Sequence, residues 1–169
     1  LESLEYLSEI FGITYKRGNL YKIITSFSTL KNVVEKKAVM FAKQNLHFDF
    51  SIVFYDVTTL YFETFKEDKE EFRKPGFSKD NKANQPQIVI GLIVTKEGFP
   101  VSYDVFAGNT FEGKTFIPTI TKFKNTYGIK NLTVVADAAM ISHHNVESLI
   151  ANNLSYIVGG RLASLKQKE

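Results

Sequence analysis

The chain has 169 residues, of which 44% are apolar and 23% charged, a composition that supplies a hydrophobic core and excludes an intrinsically disordered chain. Its 21 Lys and Arg residues against 18 Asp and Glu residues permit a nucleic-acid partner without requiring one. The absence of cysteine excludes disulfides and thiolate metal sites. Because no apolar run approaches the roughly 20 residues of a membrane helix, we expect a soluble cytoplasmic protein with no membrane partner.

The first 48 residues are predicted to form an N-terminal helical segment. A first amphipathic helix is expected to end near Gly12, because apolar residues precede it at helical spacing. A second helix is expected over residues 29–45, where apolar side chains recur at steps of four, four and three.

Residues 49–169 are predicted to form an α/β core. The β-branched and aromatic run at 50–55 is typical of a strand buried on both faces, with Asp56 closing it. Two further runs, joined by Lys96-Glu97-Gly98, predict an antiparallel hairpin. The later strands are predicted to be joined by helical crossovers, which gives a mixed sheet with flanking helices. The predicted elements after 50–55 are strands at 87–95 and 101–106, a helix ending at Gly128, a strand at 132–136, a helix capped by Ser142 with Val146, Leu149 and Ile150 on its apolar face, and a strand at 155–158.

Between the first two strands, residues 64–86 form a long, polar and charged excursion. It carries four basic side chains close together, against the acid Asp80. They are typical of a loop that contacts DNA phosphates, although a charged loop can equally be a solvated surface segment. The four basic residues are Arg73, Lys74, Lys79 and Lys82.

Two aspartates stand at similar places in this pattern. Asp56 and Asp137 each follow an apolar strand directly, so each is expected at the carboxyl end of a buried strand. If the two strands are parallel neighbours, the carboxylates would lie within reach of a shared ion. Their hard oxygen ligands suit Mg²⁺ or Mn²⁺, and pairs of such ions commonly serve phosphoryl transfer. The alternative is that each aspartate only caps a turn or the next helix.

Several segments, in their order and spacing, resemble the DDE transposases of bacterial insertion sequences. The resemblance extends over about residues 51–161. It implies a ribonuclease H-like fold with a five-stranded mixed sheet, and DNA strand cleavage and transfer driven by two divalent metal ions. The segments are Tyr55-Asp56-Val57-Thr58-Thr59-Leu60-Tyr61-Phe62-Glu63, Gly76-Phe77-Ser78-Lys79-Asp80, Gln87, Gly91-Leu92, Phe106-Ala107-Gly108-Asn109-Thr110, Val135-Ala136-Asp137-Ala138-Ala139-Met140 and Tyr156-Ile157-Val158.

The resemblance also assigns roles to residues and partners. Asp56 matches the first acid of the catalytic triad and Asp137 the second, and both would bind Mg²⁺ or Mn²⁺. The third acid, a glutamate on a downstream helix in the family, is expected beyond residue 169, so the chain is expected to be a fragment that is inactive by itself. The implied partners are the DNA of the element ends and of the target, with a homodimer in the full-length synaptic complex. The alternatives are a non-catalytic DNA-binding or assembly module of the same fold, or a metal-dependent nuclease.

Overall fold

A computed structural model describes residues 2–63, 72–76, 85–140 and 142–159, with side chains from residue 4 onward. The chain divides into two compact units, Leu1–Phe41 and Ala42–Glu169. Among the described residues, no helix is both long and apolar enough to cross a membrane.

The N-terminal region contains three helices where two were predicted. The predicted pair is confirmed, and Gly12, at the end of the first helix, has a left-handed φ of 63°. The additional helix carries Gly18 and several hydroxyl residues, which weaken a helical pattern in the sequence. Its hydroxyls bond back to carbonyls of the preceding turn, as Thr25 does to Tyr21. The helices are α1 (Glu2–Phe11), α2 (Arg17–Ser28) and α3 (Lys31–Gln44).

The second unit contains a five-stranded mixed sheet with the order β3-β2-β1-β4-β5. Strand β2 runs antiparallel to both β1 and β3, whereas β4 runs parallel to both β1 and β5. This arrangement confirms the predicted α/β class and the ribonuclease H-like mixed sheet. The strands are β1 (Ile52–Tyr61), β2 (Gln87–Thr95), β3 (Pro100–Ala107), β4 (Thr133–Ala136) and β5 (Ser155–Val158).

Two helices follow the hairpin, α4 (Phe116–Tyr127) and α5 (His143–Ala151). As predicted, α4 ends at Gly128, which has a left-handed φ of 62°. The predicted cap of α5 is also confirmed, because the hydroxyl of Ser142 accepts a hydrogen bond from the backbone N–H of Asn145 at 3.1 Å. Short 3-10 turns precede both helices, at Glu112–Lys114 and Ala138–Met140.

The core lies between α4 and one face of the sheet. Phe116 and Ile120 on α4 are fully buried, as are Val53 and Ile93 on the central strands. The ring of Phe116 lies 5.3 Å from that of Tyr55 between ring centroids. Aromatic and β-branched side chains therefore fix how α4 sits on β1 and β2.

Strand β1 is longer than predicted, and this changes the position of Asp56. The apolar run stops at Tyr55, but residues 57–61 continue to pair with β2 and are rich in residues that favour strands. The expectation that Asp56 lies at the end of its strand is therefore wrong. Asp56 lies where the parallel pairing with β4 ends, at Tyr55 opposite Ala136.

Candidate active site

The sheet register brings Asp56 and Asp137 to the same level of neighbouring strands. Tyr55 and Ala136 are the last registered pair of β1 and β4, and each aspartate is the next residue of its chain segment. Neighbouring strands are about 4.8 Å apart, so the two backbones are close at this level. Both aspartates are exposed. Two carboxylates can therefore meet at one solvent-accessible point of the sheet.

The backbone around Asp137 forms a tight turn directly after β4. One oxygen of the Asp137 carboxylate accepts a hydrogen bond from the N–H of Ala138, and the Asp137 carbonyl accepts one from Met140 at 3.0 Å. The capping alternative predicts such a bond, so this contact alone does not select a function. The carboxylate has a second oxygen, and an exposed acid held in this way can still bind a cation.

Asn145 stabilises this turn through its side-chain amide. Its side-chain amide is buried and donates hydrogen bonds of 2.7 Å both to the Met140 carbonyl and to the Gly113 carbonyl. It thus joins α5 to the two 3-10 turns. The prediction that Ile150 belongs to the inner face of α5 is wrong, because that side chain is 63% exposed while Asn145 and Leu149 face inward. The i, i+4 spacing of Asn145 and Leu149 was the signal in the sequence, and it was missed because Asn is polar.

Tyr55, the residue before Asp56, is buried on the face of the sheet that packs against α4. Its hydroxyl donates a 2.6 Å hydrogen bond to the Thr115 hydroxyl, which in turn bonds to the Glu112 carbonyl. Burial raises the pKa of the Tyr55 phenol. The ring crosses Gly91, where an added Cβ would lie 2.3 Å from the Tyr55 oxygen, so only glycine fits there. Because side chains alternate along a strand, a fixed Tyr55 directs Asp56 to the other face of the sheet.

The described part of the basic excursion is anchored to the sheet. Lys74 forms a backbone bridge with Gln87 at the start of β2, and the guanidinium of Arg73 lies 5.3 Å from the centre of the Phe62 ring. Since Gln87 is five residues from the position opposite Asp56, the anchor is roughly 17 Å along the strand from that acid. Lys79 and Lys82 lie outside the described residues.

The donor set at the paired aspartates consists of carboxylate oxygens, which suits Mg²⁺ or Mn²⁺. In the part of the chain that the structure describes, no group of three His, Asp or Glu side chains could hold a metal ion. The predicted third acid, beyond residue 169, remains a prediction.

Comparison with known proteins identifies a family for this region. Residues 47–168 match the family model described as "Transposase DDE domain". No curated protein gives a significant match.

Solved structures of Mos1 transposase are also similar to the chain. They include the paired-end complex with the left transposon end, at 14% identity over 75% of this chain with a TM-score of 0.43, and a pre-cleavage transpososome, at 14% identity over 78% with a TM-score of 0.44. The chain spans 40% and 42% of the length of those two chains. The catalytic domain with raltegravir and Mn is 11% identical over 79% of this chain and 60% of that one, with a TM-score of 0.43.

Proposed function

Because this chain belongs to the DDE transposase family, we propose that it forms part of the catalytic core of a transposase that cleaves and joins DNA strands. The observation that supports the proposal is the register of β1 and β4, whose last pair, Tyr55 and Ala136, directly precedes the exposed residues Asp56 and Asp137. These residues are the first two acids of the proposed triad, and a glutamate beyond residue 169 is the third. We further propose that the whole protein is encoded by a bacterial insertion sequence and acts in the cytoplasm.

In this proposal Asp56 and Asp137 would hold Mg²⁺ or Mn²⁺ through their carboxylate oxygens. Divalent ions supply Lewis-acid stabilisation of the charge on the phosphate and activate water or a 3′-hydroxyl as the nucleophile. The protein contributes rigid placement. Asp56 stands on the central strand, where the packing of Tyr55 fixes the pleat, and Asp137 stands on a turn held by Asn145.

The DNA is proposed to contact the basic excursion through Arg73, Lys74, Lys79 and Lys82. Such contacts position the nucleic acid by its phosphates and carry no sequence information of their own. The anchoring of Lys74 to β2 supports a fixed position for this part of the loop. The full-length protein would bring element ends and target together as a homodimer.

Thermal unfolding with and without Mn²⁺ tests the acid pair. We expect Mn²⁺ to raise the melting temperature of the parent chain in a concentration-dependent way. At a free Mn²⁺ concentration one hundred times the dissociation constant, the free energy of unfolding should increase by about 2.7 kcal/mol. Asp56→Asn and Asp137→Asn should lose most of this response. In chelator both variants should be as stable as the parent or more stable, because each removes one of two neighbouring negative charges.

Glu97→Gln is the matched control, since Glu97 is an exposed acid at the β2–β3 hairpin and its loss should leave the response to Mn²⁺ intact. A parent that does not respond to Mn²⁺, together with destabilised Asp56 and Asp137 variants, would show that the two carboxylates only cap their turns.

The second candidate is a non-catalytic DNA-binding module, which a DNA-binding assay with and without divalent ions distinguishes from the catalytic core. The observation that favours it is the hydrogen bond from the Ala138 N–H to the Asp137 carboxylate, which an aspartate that only caps its turn also makes. A chain that binds DNA equally well with and without divalent ions, and whose Asp→Asn variants bind as the parent does, would support that module over the catalytic core.

A further inference from the structure

The N-terminal helices expose far more apolar surface than a monomer ordinarily does. Helix α2 has no buried residue, and its Tyr21, Ile24 and Phe27 are 55–61% exposed. Fourteen large apolar side chains of the first 41 residues are at least 39% exposed, whereas monomeric proteins ordinarily expose such side chains singly. Helices of 10 to 14 residues are also marginal without packing. The large exposed apolar side chains are Tyr6, Ile10, Phe11, Ile13, Tyr15, Tyr21, Ile23, Ile24, Phe27, Leu30, Val33, Val34, Met40 and Phe41.

The outer face of α3 has the shape that accepts a helix. Val33, Lys36, Lys37 and Met40 stand at positions i, i+3, i+4 and i+7, the four corners of a hole in knobs-into-holes packing. Together with Asn32 they line an open cavity of about 550 Å³. Val33 and Met40 are 55% and 40% exposed, with a lysine on either side of the line between them. This surface fits an apolar side chain carried by an acidic helix.

Helix α1 is such a helix. Its charged residues are Glu2, Glu5 and Glu9, with no basic residue. Tyr6 and Ile10, one turn apart, are 60% and 55% exposed, and Glu9 is three residues from Tyr6 on a neighbouring row. In contrast, α2 and α3 carry Arg17, Lys22, Lys31, Lys36, Lys37 and Lys43 against Glu35.

We propose that α1 of one chain docks on the Val33–Met40 face of α3 in a second copy, and that the partner returns the same contact. Unlike surfaces on one chain, each complementary to the other, allow a reciprocal two-fold dimer. Tyr6 and Ile10 of α1 and Val33 and Met40 of α3 supply the apolar part of each contact, and all four are at least 40% exposed. The opposite charges of α1 and α3 favour this pairing over α1 with α1. The surface lies outside residues 47–168, which match the transposase family. The proposal rests on the homodimer of the proposed function in that it names the surface that would form it, and it is tested without DNA or metal.

A charge swap tests the dimer by sedimentation equilibrium. The parent chain should be dimeric at micromolar concentration and weaken as salt rises. The double variants Glu5→Lys/Glu9→Lys and Lys36→Glu/Lys37→Glu should each dimerise at least tenfold more weakly, because both contacts then pair like charges. An equimolar mixture of the two should restore a dimer, since both of its contacts are again complementary. This rescue also shows that the variants are folded.

The control Glu97→Lys/Glu147→Lys makes the same change of charge on exposed acids of the other unit and should leave the dimer intact. A monomeric parent at 100 µM, as expected if α1 packs within its own chain, would overturn the proposal. So would variants that dimerise as the parent does, or a mixture that fails to restore the dimer. If the parent is monomeric and the variant Lys36→Glu/Lys37→Glu no longer binds DNA, the α3 surface is a nucleic-acid contact instead.

Discussion

Tyr55 is the residue next to the proposed catalytic acid, and its environment makes a pH-dependent prediction. Burial raises the pKa of its phenol above the unfolded value of about 10. A raised pKa in the folded state means that this contribution to stability is fully present below about pH 10 and is lost as pH rises through the folded pKa.

We therefore expect Tyr55→Phe to be less stable than the parent by about 1 kcal/mol at pH 7, because the bond to Thr115 is lost. Above pH 10 the difference should shrink, since only the parent loses the contribution of the buried phenol. Urea unfolding between pH 7 and pH 11 measures both effects. Tyr15→Phe, which removes an exposed hydroxyl, is the control and should follow the parent at every pH. A constant difference between Tyr55→Phe and parent would mean that the phenol does not titrate differently in the folded state.

What the sequence could predict at this scale depends on how far apart the interacting residues are. The cap at Ser142 and the helix stop at Gly128 were predicted because each acts on residues within one turn. The bond of Tyr55 to Thr115 spans 60 positions, and the crowding of Tyr55 against Gly91 depends on strand register. Neither contact produces a local sequence pattern, so neither could be predicted before the structure was known.

At the scale of elements, Asn145 connects α5 with the turn that carries Asp137. Asn145→Ala removes two buried hydrogen bonds and leaves the carbonyls of Gly113 and Met140 without this donor. We expect a loss of about 2–4 kcal/mol in the free energy of unfolding, measured by urea titration.

Asn152→Ala is the matched control, because the Asn152 amide bonds to a carbonyl of the same helix in an exposed setting. It should cost less than about 0.5 kcal/mol. Similar losses in the two variants would contradict the assignment of Asn145 as the link between these elements.

The elements missed or misplaced share a cause. Helix α2 lacked a clear pattern because its hydroxyl residues compete with a helix in isolation, and β1 was ended at Tyr55 because its apolar run stops there. In the fold, pairing with β2 continues to Tyr61 whatever the hydropathy of the residues. Tertiary pairing thus decides the element boundaries that local composition leaves open.

For the whole molecule, the mixed sheet was predictable from the order of strands and helices. The position of Asp56 was predicted only in part, because the parallel pairing of β1 with β4 ends at Tyr55 while β1 itself continues to Tyr61. The sequence did not predict how the basic excursion meets the sheet, because that depends on the bridge of Lys74 to Gln87 and on the tight approach of Gly76 to Gly108.

If Arg73, Lys74, Lys79 and Lys82 contact phosphates, replacing all four by Ala should weaken binding to DNA of any sequence. Each lost contact removes about one unit from the slope of log affinity against log salt, because fewer counterions are released. The slope is measured by fluorescence anisotropy with a labelled duplex at roughly 50 to 200 mM salt. The control replaces Lys16, Lys22, Lys96 and Lys130 by Ala, which lowers the net charge equally at exposed positions elsewhere. Equal slopes for both variants would show that the excursion is a solvated loop. A smaller slope only in the variant of Arg73, Lys74, Lys79 and Lys82 would show that the DNA backbone contacts the excursion.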